Sequence, residues 1–322
     1  MPGSDAAHLK EVFRCVREAD AEGPIAGPGA DSPVGLSGRK TIGLLQRLAR
    51  LLAGQGDACY LEIGVYQGAS LLAVAAAAPR LACFGIDDFS LLDPKGENLR
   101  IVEGRLARLG AKNATLVNLG FEEALADLAR VGGRKIGLYF ADGPHDYRSQ
   151  LMALMLALPH LDERAVVVVD DANYPFVRQA TRDFLLAQPR YKMVFEAYSP
   201  AHPANMDPQT RRRHEAGWLN GVHVLARDDG GLLPDMLPPA DPRRELYVNE
   251  WLIHRHALAE LAPEALELAG AACRGDAPAE AAARARLLGR YRSMKHAFDG
   301  RFPDRNVYSE GLPERRFNRA PS

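Results

Sequence analysis

Hydrophobic residues along the chain follow two alternating spacings. Short, nearly continuous apolar runs at about 58 to 63, 81 to 86, 114 to 118, 135 to 141 and 165 to 169 read as strands, and helical patterns start near Gly68, Gly96, Phe121, Asp146 and Tyr174. Strand and helix taking turns, with crossovers of this length, predict a parallel sheet with helices on both faces. The run Ala165 to Val169 has no polar alternation, as expected of a strand buried on both sides. Two further strands, Tyr191 to Tyr198 and Leu219 to Ala226, bring the expected sheet to seven. They are joined by an irregular stretch, Ser199 to Gly217, that carries His202, Asn205 and three consecutive arginines. A loop of that length inside a compact domain is more often functional than idle. The expected class is α/β, a Rossmann-like seven-stranded, mostly parallel sheet.

The flanks read differently. Leu9, Val12, Phe13 and Val16 mark a short N-terminal helix, followed by a Gly/Pro/Asp-rich linker from Gly23 to Gly35. From Lys40 to Ala53, Thr41, Leu44, Leu45, Leu48, Leu51 and Leu52 recur at helical spacing, an amphipathic helix fit to cover a sheet. Past Asp228 a Pro-rich break leads into a helical tail in which Leu287, Leu288, Tyr291, Met294 and Phe298 form one stripe, so residues 277 to 298 should pack on the core or on a second subunit. The final 20 residues read as loosely ordered. The expected organisation is an N-terminal helix and linker over 1–35, the α/β domain over 36–228, and a helical extension and tail over 229–322, with the extension a candidate surface for a homo-oligomer.

Composition narrows the partners. A formal net charge of -1 gives no electrostatic reason to expect nucleic acid or an anionic membrane. No apolar run approaches the roughly 18 residues of a membrane span, and the N-terminus lacks an apolar core behind a basic start, so a cytoplasmic location is the expectation. The cluster Arg211 to Arg213 with His214 reads as a solvated loop, with contact to an anionic substrate group as the alternative. Cys15, Cys59, Cys83 and Cys273 are scattered without zinc spacing and read as buried free thiols.

Chemistry concentrates at the expected carboxyl ends of the strands, where an open parallel sheet binds its ligands. The first strand ends in LEIGVYQGAS, Leu61 to Ser70; Gly64 and Gly68 allow a tight turn and let backbone amides approach a ligand before a helix N-terminus. The second ends in CFGIDDFS and places Asp87 where a carboxylate accepts the hydroxyls of a ribose. This pairing indicates a nucleoside-like cofactor. A dinucleotide fingerprint would want a further glycine at Tyr66, which weighs against NAD. S-adenosylmethionine has no pyrophosphate to cradle, so a looser loop suffices, and Glu62 suits its ammonium.

The fourth strand ends in YFADGPHDY and the fifth in VVVVDDANYP, so Asp142 and Asp170 stand on neighbouring strands about 4.8 Å apart, with Asp171 beside them. Carboxylates at about 5 Å repel by roughly 3 kcal/mol per pair at an effective dielectric near 20. Protonation relieves this, and so does a hard cation such as Mg²⁺. Asp142 could instead serve the turn before Gly143 and Pro144, and Asp171 could cap the following helix, which leaves Asp170 without a task. Because neighbouring side chains on a strand face opposite ways, Asp170 and Asp171 share an ion only if the chain turns between them; Asn173 is the substitute otherwise.

From LEIGVYQGAS through IDDF to these aspartates, over about residues 36 to 228, the sequence resembles the class I S-adenosylmethionine-dependent methyltransferases, in particular the catechol O-methyltransferase-like and the macrocin-type O-methyltransferases of natural-product sugars. The resemblance implies that Glu62, Gly64, Tyr66 and Ser70, with Gly68 in the turn, line the methionine and ribose end of the cofactor and that Asp87 holds the ribose. It implies that Asp142, Asp170 and Asp171 form a metal site and that His145 takes the proton of the acceptor hydroxyl, with Asp142 as the alternative base; a helix-terminal, solvent-facing histidine is the other reading of His145. The expected reaction is metal-assisted transfer of a methyl group to a hydroxyl of a small molecule or saccharide. A metal-independent methyltransferase and a cofactor-binding module without turnover are the competing readings.

Overall fold

A computed structural model describes residues 2–25, 35–54, 57–93, 95–127, 132–240, 258–301 and 311–321. They divide into two units, Met1–Pro242 with Val307–Ser322, and Arg243–Asn306.

The first unit is built on strands β1 (Cys59–Ile63), β2 (Cys83–Ile86), β3 (Ala114–Val117), β4 (Ile136–Ala141), β5 (Leu161–Asp170), β6 (Tyr191–Ala197), β7 (Val222–Arg227) and β8 (Arg315–Phe317). Its sheet has the order β3-β2-β1-β4-β5-β7-β6-β8. Strands β1 to β5 pair in parallel, β7 runs antiparallel between β5 and β6, and β8 is antiparallel to β6. The α/β, Rossmann-like expectation therefore holds, with eight strands in place of seven.

Helices α1 (Pro2–Glu22), α2 (Arg39–Leu52), α3 (Ala69–Ala77), α4 (Asn98–Leu109), α5 (Phe121–Ala126), α6 (Tyr147–Ala157) and α7 (Pro175–Ala187) accompany the sheet. The valine run of β5 shows why two cores form: Val166 and Val168 join the cluster that includes Leu9, Phe13, Leu44 and Leu71, while Val167 and Val169 join the one that includes Leu154, Val177 and Phe184. Alternate side chains of one strand thus feed opposite faces, and both faces are covered. Helix α1 is part of this core, with Leu9, Val12, Phe13 and Val16 at most 1% exposed.

The eighth strand corrects the reading of the last 20 residues as far as 311–321 are concerned; 303–310 lie outside the described residues. Its charged residues carry no strand period, but Arg316 Nε lies 2.5 Å from Oε1 of the buried Glu196, and Asn318 donates to the carbonyls of Met193 and Pro234. Arg315 reaches Asp20 of α1, which also receives Lys40 of α2 and the indole N–H of Trp218. One aspartate therefore fastens α1, α2, the turn before β7 and β8. The 199–217 stretch is also more ordered than expected: Pro203–Asn205 form a 3-10 turn and Pro208–Glu215 a helix, α8, capped by Asp207. The arginines lie on that helix, where Arg211 pairs with Glu215.

The second unit contains helices α9 (Ala262–Cys273) and α10 (Ala277–Arg301), joined by Arg286–Glu267 and Arg290–Glu264 pairs. Of the expected stripe on α10, Leu288 and Tyr291 are exposed. Cys273 is exposed as well, which corrects the expectation of four buried thiols; Cys15, Cys59 and Cys83 are buried. Among the described residues, no helix is long and apolar enough to cross a membrane.

Strand order reverses between β1 and β4, and the loops that follow these two strands cross there. Gly64 adopts φ +82°, and a Cβ on it would lie 1.7 Å from the carbonyl oxygen of Asp142. An alanine would meet a left-handed backbone and a backbone clash together, costing about 3 kcal/mol. Gly64→Ala is therefore expected to lower the melting temperature by about 6–12 °C in a thermal denaturation measurement. An unchanged midpoint would mean that the two loops do not cross this closely.

Candidate functional site

At the switch point the turn after β1 is held from three sides. Asp87, at the end of β2, accepts from the backbone N–H groups of Val65 and Tyr66 through Oδ2, both at 2.8 Å, and from Phe89 N through Oδ1 at 2.7 Å. Arg105 of α4 donates to the carbonyl of Gln67, and Asn98 of α4 accepts from the Gln67 side chain. Tyr66 itself sits at φ +49° and Gly68 at φ +82°, opening α3. Asp87 thus shapes the turn, a role beyond the ribose contact expected of it. A carboxylate offers about four acceptor sites, so three amides leave it one for a hydroxyl.

Glu62 of β1 is fully buried beneath this turn. The Tyr60 hydroxyl donates to its Oε2. Burial pushes its carboxyl up to about 8, with the charge of Asp87 adding to the rise and the hydroxyls of Tyr60 and Ser70 opposing it. Its Oε1 is buried and has no partner of hydrogen-bonding geometry among the described residues. An oxygen in that condition calls for a donor, and a positively charged one restores its ionised form.

On the other side of the switch point stand the acids of β4 and β5. Asp142, His145 and Asp171 bring ligand atoms within 4.8 Å of one another. The chain does turn between Asp170 and Asp171, since Asp171 adopts φ +56°. Asp170 is not among the converging ligand atoms, and Asn173, the substitute, is engaged elsewhere: its amide bonds the Ser199 carbonyl, hydroxyl and N–H. Asp170 is 4% exposed and acts on Asp142 through its charge. Burial and the neighbouring carboxylate push Asp170 up to about 8, and burial together with Asp170 and Asp171 raises Asp142 well above the ordinary range.

His145 Nε2 lies 2.7 Å from Asp171 Oδ2, and Asp171 Oδ1 accepts from Asn220 Nδ2 at 2.6 Å. Burial alone would lower the imidazole pKa and raise that of the carboxyl; their mutual attraction outweighs it, so His145 is raised and Asp171 lowered. With Nε2 engaged, the Nδ1 edge is the one left for an external proton. This is the arrangement of a base held in one orientation by a carboxylate.

Three residues near these acids carried no signal in the sequence, and a fourth only through its loop. Ser37, just before α2, donates to Asp142 Oδ2 at 3.3 Å. Asn220 reaches Asp171 from the turn before β7. Tyr174 stacks on the His145 ring, and its hydroxyl lies 3.0 Å from His202 Nε2. Of these only His202 belonged to a segment marked as functional, by the length of its loop.

Residues 61–172 match the model of a family described as a methyltransferase domain. The match covers the glycine turn and the acids of β4 and β5, and over these residues the resemblance to S-adenosylmethionine-dependent methyltransferases is borne out. No curated protein matches the chain. Among solved structures, the chain is similar to the O-methyltransferase TomG from Streptomyces achromogenes, at 20% identity over 69% of this chain and 89% of that one, with a TM-score of 0.45. It is also similar to a putative caffeoyl-CoA O-methyltransferase from Staphylococcus aureus, at 16% identity over 67% and 91%, with a TM-score of 0.42.

Proposed function

We propose that this chain is an S-adenosylmethionine-dependent O-methyltransferase that acts on a hydroxyl of a small molecule or saccharide, assisted by a divalent cation such as Mg²⁺. The observation that carries the reading is the pairing of two half-sites across one switch point. On one side lie a carboxylate-held glycine turn and a buried Glu62 whose Oε1 has no partner of hydrogen-bonding geometry among the described residues; on the other lie Asp142, Asp171 and a His145 held by its Nε2 edge, with Asp170 beside them.

In this reading Glu62 faces the cofactor's ammonium, the amides and side chains from Gly64 to Ser70 line its methionine and ribose, and Asp87 takes one ribose hydroxyl. Asp142 and Asp171, whose ligand atoms converge with that of His145, would hold a hard cation with Asp170 beside them, and the raised Asp142 and Asp170 mark a repulsion that such an ion would relieve. When bound, the cation lowers the pKa of an acceptor hydroxyl. His145 removes the proton through Nδ1, Asp171 stabilises the imidazolium formed, and the loop after β6 bounds the acceptor side. No covalent enzyme intermediate is needed for direct displacement at the methyl carbon. Transfer without a metal is the second reading, favoured by the Asp171–His145 pair, which orients a base by itself.

Formation of S-adenosylhomocysteine with a panel of catechols and glycosides, followed by mass spectrometry, tests the activity. Cofactor binding is tested separately by calorimetry. Asp87→Ala is expected to weaken S-adenosylmethionine binding by about 10-fold to 100-fold, because a charge-assisted hydrogen bond of about 1.5–3 kcal/mol is lost and the turn it holds is released. Wild-type affinity in that variant would sink the cofactor assignment.

A further inference from the structure

We propose that Tyr174 is a positioning residue for His145. This inference rests on the reading of His145 as the base. A base that accepts a proton at Nδ1 must keep its ring plane, because an imidazole that rotates out of it loses the aim of Nδ1 and its Nε2 bond to Asp171 together. The Tyr174 ring blocks that rotation. It lies against the imidazole with centroids 5.1 Å apart and planes 14° from parallel.

The tyrosine is itself over-determined. Its N–H donates to the Asp171 carbonyl at 3.0 Å, and the following Pro175 confines its backbone to the extended region in which it caps α7. Its hydroxyl is bonded to His202 Nε2 at 3.0 Å, and the His202 ring meets its edge at 5.8 Å. His202 in turn sits three residues beyond Ser199, which Asn173 clasps through both ends of its amide. A single turn, 171–174, therefore fixes the imidazole at Nε2 through Asp171, at its face through Tyr174, and at one remove through Asn173, which anchors the loop bearing His202.

The test uses the full chain labelled with ¹⁵N-histidine, at about pH 9, where the neutral imidazole has two tautomers to choose between. The chain has nine histidines, and the signal lost in His145→Ala identifies the one that matters. Wild type is expected to show His145 as a single tautomer, protonated at Nε2. Tyr174→Leu should convert it into an exchanging mixture. Tyr174→Phe, which keeps the stack, should retain the tautomer, and His202→Ala should match Tyr174→Phe. Calorimetric affinity for S-adenosylhomocysteine should stay within about twofold throughout, which separates positioning from a general loss of structure. A single Nε2–H tautomer in a folded Tyr174→Leu protein would overturn the inference, as would loss of the tautomer in Tyr174→Phe. If Tyr174→Leu does not fold, Tyr174→Gln, which likewise removes the ring, takes its place with the same two outcomes. Failure of the base reading shows elsewhere, as full methyl transfer by His145→Ala.

Discussion

Replacing His145 with alanine is expected to lower kcat by about 10²–10⁴-fold while leaving metal and cofactor affinity nearly unchanged, because a general base acts on the proton and not on binding. The pH dependence is the sharper part of this expectation. Asp171 raises the imidazole above its ordinary value of about 6.5, so the basic form is lost as pH falls through a point above that value. Wild-type kcat should therefore have an acidic limb centred above about pH 6.5, and the variant should lack it. The deficit should also shrink at high pH, where an acidified acceptor hydroxyl ionises to solvent without help. A variant that keeps the wild-type limb shows that another group owns that pKa, and Asp142 then becomes the base. Loss of metal affinity instead would make His145 a ligand.

Turnover is expected to vanish in chelator and to return with Mg²⁺, whereas calorimetric binding of S-adenosylmethionine should persist. The reason lies in the placement of the acids: Asp142, Asp170 and Asp171 sit on the β4 and β5 side of the switch point, while Glu62 and Asp87 sit on the β1 and β2 side. A stability measurement follows from the same charges. Asp170 is raised to about 8 in the folded chain against about 3.9 when unfolded, so its favourable contribution is present below about pH 4 and is lost as pH rises through about 8. The gain in melting temperature from added Mg²⁺ should accordingly be larger at pH near 8 than at pH near 5, since a bound ion stabilises the ionised acids. Undiminished turnover in chelator would leave Asp171 and His145 to act without a metal.

Much of this molecule is legible along the chain because its strands are buried on both faces and its ligand turns carry residues of few uses. The valine run of β5, the glycines at 64 and 68, and the aspartates that close β4 and β5 all lie where local pattern places them. What escaped depends on contacts distant in sequence. Strand β8 is defined by Arg316 meeting Glu196, 120 residues earlier, and three charged or aromatic residues show no period of their own. Helix α8 has no apolar face, so only its Asp207–Pro208 start could have announced it. Asp87 reads as a ribose contact alone, because nothing local reveals that its oxygens bind amides 21 and 22 residues back. Ser37, Asn220 and Tyr174 are ordinary residues that become part of the site only when the strand ends converge.

The late position of β8 bears on how the chain is made. Strand β6 ends at Ala197 and its outer partner at Phe317, 120 residues further on. At roughly 5–20 residues per second of synthesis, the outer edge of β6 waits about 6–24 s on the ribosome before its neighbour emerges. During that interval its backbone donors and acceptors form an open template for another nascent chain. The same delay withholds the third anchor of Asp20, Arg315, so α1 is docked with fewer ties until that residue has been made. Slow codons or crowded polysomes over residues 198–314 thus act on the yield of folded protein through an edge that the finished molecule no longer exposes.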